Sequence, residues 1–163
     1  MRASFVTLAG LCVLAVAACQ PQAPSVMSAE DEAAVVTEVE QTIESYFDVI
    51  RELDVDRGVQ MWADVEGFVL AADGELVDDY DAFVRDLRTA VSGVDRFLEM
   101  EIWNPHTRVF GPDVASTVIE YRWEMIGTTG DTVRSHGSWM YMVERFEDGW
   151  KIVHSAGTHL YDE

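Results

Sequence analysis

The chain has 163 residues, 48% hydrophobic and 25% charged, with 11 Lys and Arg against 30 Asp and Glu and a formal net charge of -19 at pH 7. That apolar share, with a mean hydropathy near zero, excludes a disordered acidic tail, a collagen-like repeat and a multi-pass membrane protein. So few cations, none of them clustered, also argue against nucleic acid as a partner, because its phosphates would be repelled. One globular domain is expected.

The N-terminus reads as an address. Arg2 precedes an almost wholly apolar stretch over residues 5–16, the charged start and greasy middle of an export signal. As a helix the run 3–18 is roughly 24 Å long, short of a hydrocarbon core about 30 Å thick, so it makes a poor lasting anchor. It ends in Val16-Ala17-Ala18-Cys19, which resembles the lipobox of bacterial lipoproteins. That resemblance implies removal of residues 1–18 and acylation of Cys19, an anchor of the palmitate type. Gln20, in place of Asp, is similar to the residue that sorts such proteins to the periplasmic face of the outer membrane. Cleavage would also remove Cys12, leaving no free thiol for a disulfide, a thiolate nucleophile or a cysteine metal site. Residues 19–27, with Pro21 and Pro24, read as a semi-extended spacer, and residues 28–163 as the domain. An anionic lipid surface would repel that domain, so the tether would hold it away from its membrane.

Ser28 offers an N-cap followed by acids in the first turn, and Val36, Val39, Ile43, Tyr46, Phe47 and Ile50 recur at helical spacing, which predicts a helix over about 29–51. A short helix follows Asp54, with Gly58 as its weak point. Asp73-Gly74 between two apolar runs predicts a tight hairpin over 68–77. Asp78 and Asp79 can cap a third helix marked by Tyr80, Phe83, Val84, Leu87 and Val91. From Phe97 the period changes. Segments 97–110, 113–127, 132–146 and 150–160 are rich in Val, Ile, Thr and aromatics and are separated by turn residues, which predicts four consecutive antiparallel strands. Asn104-Pro105 interrupts the first of these and predicts a bulge or an edge position.

Helices early in the chain and a long meander after them predict an α+β domain, with helices packed on one face of a curved antiparallel sheet. At Glu147-Asp148-Gly149-Trp150-Lys151-Ile152-Val153-His154, and more weakly at 111–115 leading into Tyr121-Arg122-Trp123, the sequence resembles the nuclear transport factor 2-like (NTF2-like) superfamily. Within it, the chain is similar to the SnoaL-like and DUF4440-type bacterial proteins over about residues 28–160. The resemblance implies a cone whose wide mouth, between the long helix and the sheet, binds ligands or catalyses. Many relatives continue His-x-His-x-Ser in the last strand, whereas Ala156 and Thr158 occupy the alternate positions after His154 here, so half of any polar pair is replaced.

Strand alternation sorts the side chains. Ile119, Tyr121, Trp123 and Met125 share one face; Glu120, Arg122 and Glu124 share the other, as an outer charge ladder. The expected pocket lining is Tyr46, Trp62, Tyr121, Trp123, Tyr141 and His154, aromatic bodies with a few polar tips. The plainer reading of these aromatics is core or a dimer face. Asp64, Glu66, Glu99 and Glu101 are carboxylates for acid/base work, although in so acidic a chain a carboxylate is usually a solvated face. His106 and His159 fall in a loop and near the C-terminus and are not singled out. No metal-ligand spacing, phosphate loop, dinucleotide fingerprint or nucleophile elbow occurs, so neither a cofactor nor a metal is expected. Three functions follow: an envelope-tethered protein holding a small, largely apolar ligand; an acid/base isomerase or dehydratase using a carboxylate with His154 or Tyr121; and an assembly module whose outer sheet face pairs with a second copy.

Overall fold

A computed structural model describes residues 27–162, so the expected signal segment 1–18, Cys19 and most of the spacer lie outside the described residues. Helix α1 (Ala29–Arg51) begins where Ser28 accepts the Asp31 N–H, with Glu30, Asp31 and Glu32 against the positive end of the helix dipole. Its buried stripe is Val35, Val39, Ile43, Tyr46 and Phe47. Val35 rather than Val36 starts the stripe, because 35, 39 and 43 stand one above another on a single face. Helix α2 (Val55–Gln60) is capped by Asp54, whose carboxylate accepts the Arg57 N–H. Gly58, expected to weaken this helix, is its contact with α1: a Cβ there would stand 2.9 Å from Ile50 Cδ1.

Strands β1 (Val69–Ala72) and β2 (Glu75–Val77) flank Asp73 and Gly74, whose φ values of 53° and 89° fit a type I′ hairpin turn. Helix α3 (Tyr80–Ser92) is capped by Asp79. The meander follows as β3 (Val94–Gly111), β4 (Val114–Gly127), β5 (Thr132–Phe146) and β6 (Gly149–Tyr161). The sheet order is β2-β1-β6-β5-β4-β3.

The sheet is mixed, which corrects the expectation of an antiparallel one: β1 runs parallel to β6, with Val69 opposite His154 and Ala72 opposite Gly157. No local turn joins these two strands, so nothing in the nearby sequence sets their direction. The pairing is prepared upstream, where Ile152 N–H donates to the Met61 carbonyl and Ala63 N–H to the Ile152 carbonyl, bringing the chain after α2 alongside β6. Asn104-Pro105 sits at both expected features. Strand β3 is an edge, and its register shifts between Trp103 and His106, with Asn104 at φ 50°.

Helix α1 covers the inner face against β3, β4 and β6. Polar clasps fix it there: Trp150 Nε1 donates to Glu38 Oε2 at 3.0 Å, Thr107 Oγ1 to Glu40 Oε1 at 2.9 Å, and Arg51 to the Met100 carbonyl at 3.1 Å. The hydrogen bonds from Trp150 and Arg145 hold the Glu38 carboxyl below the usual carboxylate range. The outer face carries the expected ladder, with Arg122 paired to Glu99 and Glu101, and Arg134 to Glu124.

Candidate functional site: an aromatic cavity

The inner face is laid down in rows by the strand register. Thr117, Tyr141 and Ser155 stand side by side across β4, β5 and β6; the next rows are Ile119, Trp139 and Gly157, then Tyr121, Gly137 and His159, then Trp123, Ser135 and Tyr161. Large rings therefore sit beside small residues. At Gly157 the gap is obligatory, since a Cβ would stand 2.2 Å from the Trp139 ring. At Gly137 a Cβ would stand 2.1 Å from the Thr158 carbonyl oxygen and 3.1 Å from the Tyr121 hydroxyl, which donates to that same oxygen at 3.1 Å.

Between this face and the helices lies a cavity of about 520 Å³. Its helical wall includes Tyr46, Phe47, Trp62 and Phe83, and its sheet wall Tyr121, Trp123, Trp139 and Tyr141. The rings meet edge to face, Tyr46 with Tyr141 at 6.1 Å and 68° and Phe47 with Tyr141 at 6.3 Å and 89°. Among the described residues no Asp, Glu, Lys or Arg lines the cavity. The polar side chains among its lining residues are tyrosines, Ser155, His159 and tryptophan indoles. Burial pushes the Tyr46 and Tyr121 hydroxyls up to about 12, the nearby Trp62 and Ser135 groups opposing this only in part, and burial raises Tyr141 well above its usual value. These phenols are protonated donors at neutral pH. Trp139 Nε1 donates to Ser155 Oγ, while the buried Trp62 Nε1 has no partner within hydrogen-bonding geometry.

Five of the six residues expected at a pocket, Tyr46, Trp62, Tyr121, Trp123 and Tyr141, meet in this cavity. His154 does not. Register shifts between Met142 and Val143, which pair with His154 and Ile152, so Val153 is an extra residue in β6. The bulge reverses the alternation: Ile152 points inward before it, and Ser155, Gly157, His159 and Tyr161 after it, which leaves His154 opposite Met142 on the outer side. None of Asp64, Glu66, Glu99 and Glu101 reaches the cavity; the last two are spent on Arg122. The histidine of the cavity wall is His159, and it is tied to Asp73 of the β1–β2 turn, Nδ1 to Oδ2 2.8 Å. The small–aromatic alternation Ser155-x-Gly157-x-His159-x-Tyr161 is the sequence signal that marks this inner face.

A family model described as the SnoaL-like domain matches residues 39–161. The chain belongs to the SnoaL-like family. No curated protein sequence matches it. Among solved structures, a scytalone dehydratase candidate from Novosphingobium aromaticivorans superposes with a TM-score of 0.72 at 11% identity, covering 82% of this chain and 89% of that one. An NTF2-like superfamily protein from Salmonella enterica serovar Typhimurium gives 0.67 at 16% identity, covering 78% and 92%. A type 2 hexachlorocyclohexane dehydrochlorinase, LinA, gives 0.67 at 12% identity, covering 83% and 92%. At such identities the likeness is one of fold, and the fold of this SnoaL-like domain is NTF2-like.

Proposed function

We propose that this SnoaL-like protein binds a small, neutral, largely apolar molecule in its cavity, and does so in the cell envelope, tethered through acylated Cys19 at the periplasmic face of the outer membrane. The observation that carries the binding half is the cavity itself: about 520 Å³, walled by rigid aromatics and without a charged side chain among the described residues. That volume and lining suit a ligand of one to three rings oriented by a few hydroxyl donors. An anion would find no cation to meet it and would be repelled by a chain of net charge -19. The names of structural neighbours, a dehydratase candidate and a dehydrochlorinase, are compatible with such ligands.

Native mass spectrometry of the purified protein tests the reading. A retained neutral mass that leaves on collisional activation supports it; a bare protein that takes up no member of a panel of neutral aromatic compounds overturns it. For the tether, Cys19→Ala is expected to abolish incorporation of labelled palmitate and move the protein from the membrane fraction to the soluble one. A second copy is supported as a partner by the outer face, where Leu76, Ala71, Ala156, Met140 and Val118 fall in one row across five strands, with Leu76, Met140 and Val118 exposed. Light scattering of the purified protein would give a dimer mass if that row is a self-association surface.

A further inference from the structure

A second hollow, about 640 Å³ in volume, lies on the outside of α1, in the cleft that this helix makes with α2 and the β5–β6 turn. Its chemistry is the reverse of the aromatic cavity's. The face of α1 turned to it carries Glu38, Gln41, Thr42 and Ser45, which stand three and four residues apart and so share one side of the helix. Three of the chain's 11 cations line it as well: Arg57 on α2, Arg145 at the end of β5 and Lys151 on β6. Each is already matched. Arg57 pairs with Glu52 and Asp54, Arg145 with Glu38 and Asp113, and Lys151 with Asp148. An ion of either sign would have to displace one of these partners, so charge does not select the occupant.

What the pairs leave free is hydrogen-bonding capacity, held in place. Arg145 lies flat over the Trp150 ring, 4.5 Å from its centroid, and uses Nε on the Pro112 carbonyl and Nη2 on Glu38, which leaves its Nη1 group to donate. Lys151 uses two of its three N–H bonds, on the Gln60 carbonyl at 2.7 Å and on Asp148 at 2.8 Å. Thr42 and Ser45 give their protons to the carbonyls of Glu38 and Gln41, at 2.8 and 2.7 Å, so both hydroxyl oxygens stand as acceptors. The amides of Gln41 and Gln60 supply donors and acceptors together, and Val49, Met61 and the Trp150 ring are apolar patches among them. Side chains fixed by their own partners before a ligand arrives lose little rotamer freedom on binding it. Donors and acceptors interleaved around small apolar patches, with no unpaired charge, match a molecule that carries hydroxyls on a C–H skeleton. We propose that this cleft is a second binding site and that its ligand class is a neutral mono- or disaccharide, a size its volume suits. The site is independent of the aromatic cavity, whose lining shares no residue with it.

The test titrates maltose and chitobiose, both neutral disaccharides, and glucuronate as an anionic control, into the purified nitrogen-15-labelled protein, with amide shifts read by NMR. At least one neutral sugar is expected to saturate with a dissociation constant of about 1–10 mM, as befits a few hydrogen bonds made at the edge of water. The signals that move should belong to residues 38–49, 57–61 and 145–151, the Trp150 indole N–H among them. Lys151→Met keeps the aliphatic stem and removes the remaining ammonium donor, and is expected to weaken binding about tenfold; Thr42→Val, which removes one acceptor, should weaken it about threefold. Melting temperatures of both variants establish that they fold, and Gln41→Ala replaces a variant that does not. No saturable shift with either neutral sugar up to about 50 mM overturns the proposal. So does saturation that moves residues of the aromatic cavity instead, or that neither variant weakens. Binding of glucuronate alone also overturns it, since the cleft would then be an anion site.

Discussion

The two ends of the cone are made from the same partners, α1 and the inner face of the sheet, yet one end is solid and the other hollow. Under α1 as far as its third buried turn, Val35, Val39 and Ile43 share a core with Ala115, Val143 and Ile152, all at most 5% exposed. These are branched or small aliphatics, whose rotamers let them interdigitate to the density of an organic crystal. Beyond Ile43, Tyr46 and Phe47 meet Tyr141, and Tyr121 meets Trp139 further along the sheet, planar rings that lock edge to face and cannot bend into the space between them. The register then places Gly157 beside Trp139, Gly137 beside Tyr121 and Ser135 beside Trp123, small residues that do not extend into the gap. A hollow in a protein thus requires no missing core; it requires stiff side chains next to small ones.

Substitutions can break that contrast. Ile43→Ala at the solid end should cost about 2–5 kcal/mol in urea unfolding, because the site cannot collapse, and should leave ligand affinity alone. At the hollow end the largest effect is expected in alkali. Burial pushes the Tyr46 phenol up to about 12 in the folded chain, against about 10 in the unfolded one, and Tyr121 and Tyr141 are raised in the same direction. Their contribution is complete below pH 10; between 10 and 12 the unfolded chain releases protons that the folded one keeps, so stability falls as pH rises, by about 2–3 kcal/mol for Tyr46 alone. Unfolding free energies over that range, with tyrosinate absorbance followed at 295 nm, should show the fall, and Tyr46→Phe should reduce it. A flat profile would mean that the rings are not buried as described.

Smaller effects sharpen the comparison. Gly157→Ala forces the Trp139 ring toward the cavity and should cost about 1–3 kcal/mol by overpacking, with a weakened or lost ligand site. Wild-type stability and affinity in that variant would refute the account of small beside large. Arg122→Ala, on the opposite face, removes exposed pairs with Glu99 and Glu101 and is expected to leave both the urea midpoint and ligand affinity unchanged.

Much of this architecture was legible in the residues. Ser28, Asp54 and Asp79 cap the three helices as their side chains suggest, and Asp73-Gly74 makes the tight turn. The alternation along β4 put Tyr121 and Trp123 on one face and the ladder on the other because that strand has no bulge against β5. Strand β6 was opaque for the converse reason. Its extra residue, Val153, is accommodated where β6 is held between β5 and the segment after α2, a long-range arrangement that leaves no local trace. One residue of slip exchanged His154 for His159 in the cavity. Asp73 was equally hidden, since its role as a turn residue accounts fully for its presence until the parallel β1–β6 pairing brings it to His159.

The most direct test of the hollow is to plug it. Ala90, an exposed residue of the last turn of α3 that also lines the cavity, can carry a large side chain without disturbing the core. Titrating 2-tetralone, a neutral two-ring ketone of the size the cavity suits, by isothermal calorimetry into wild type and Ala90→Trp should give saturable binding to the first and none to the second at equal stability. Equal affinity in both, or no saturable binding to wild type, would contradict the claim that this cavity is where the protein holds its ligand.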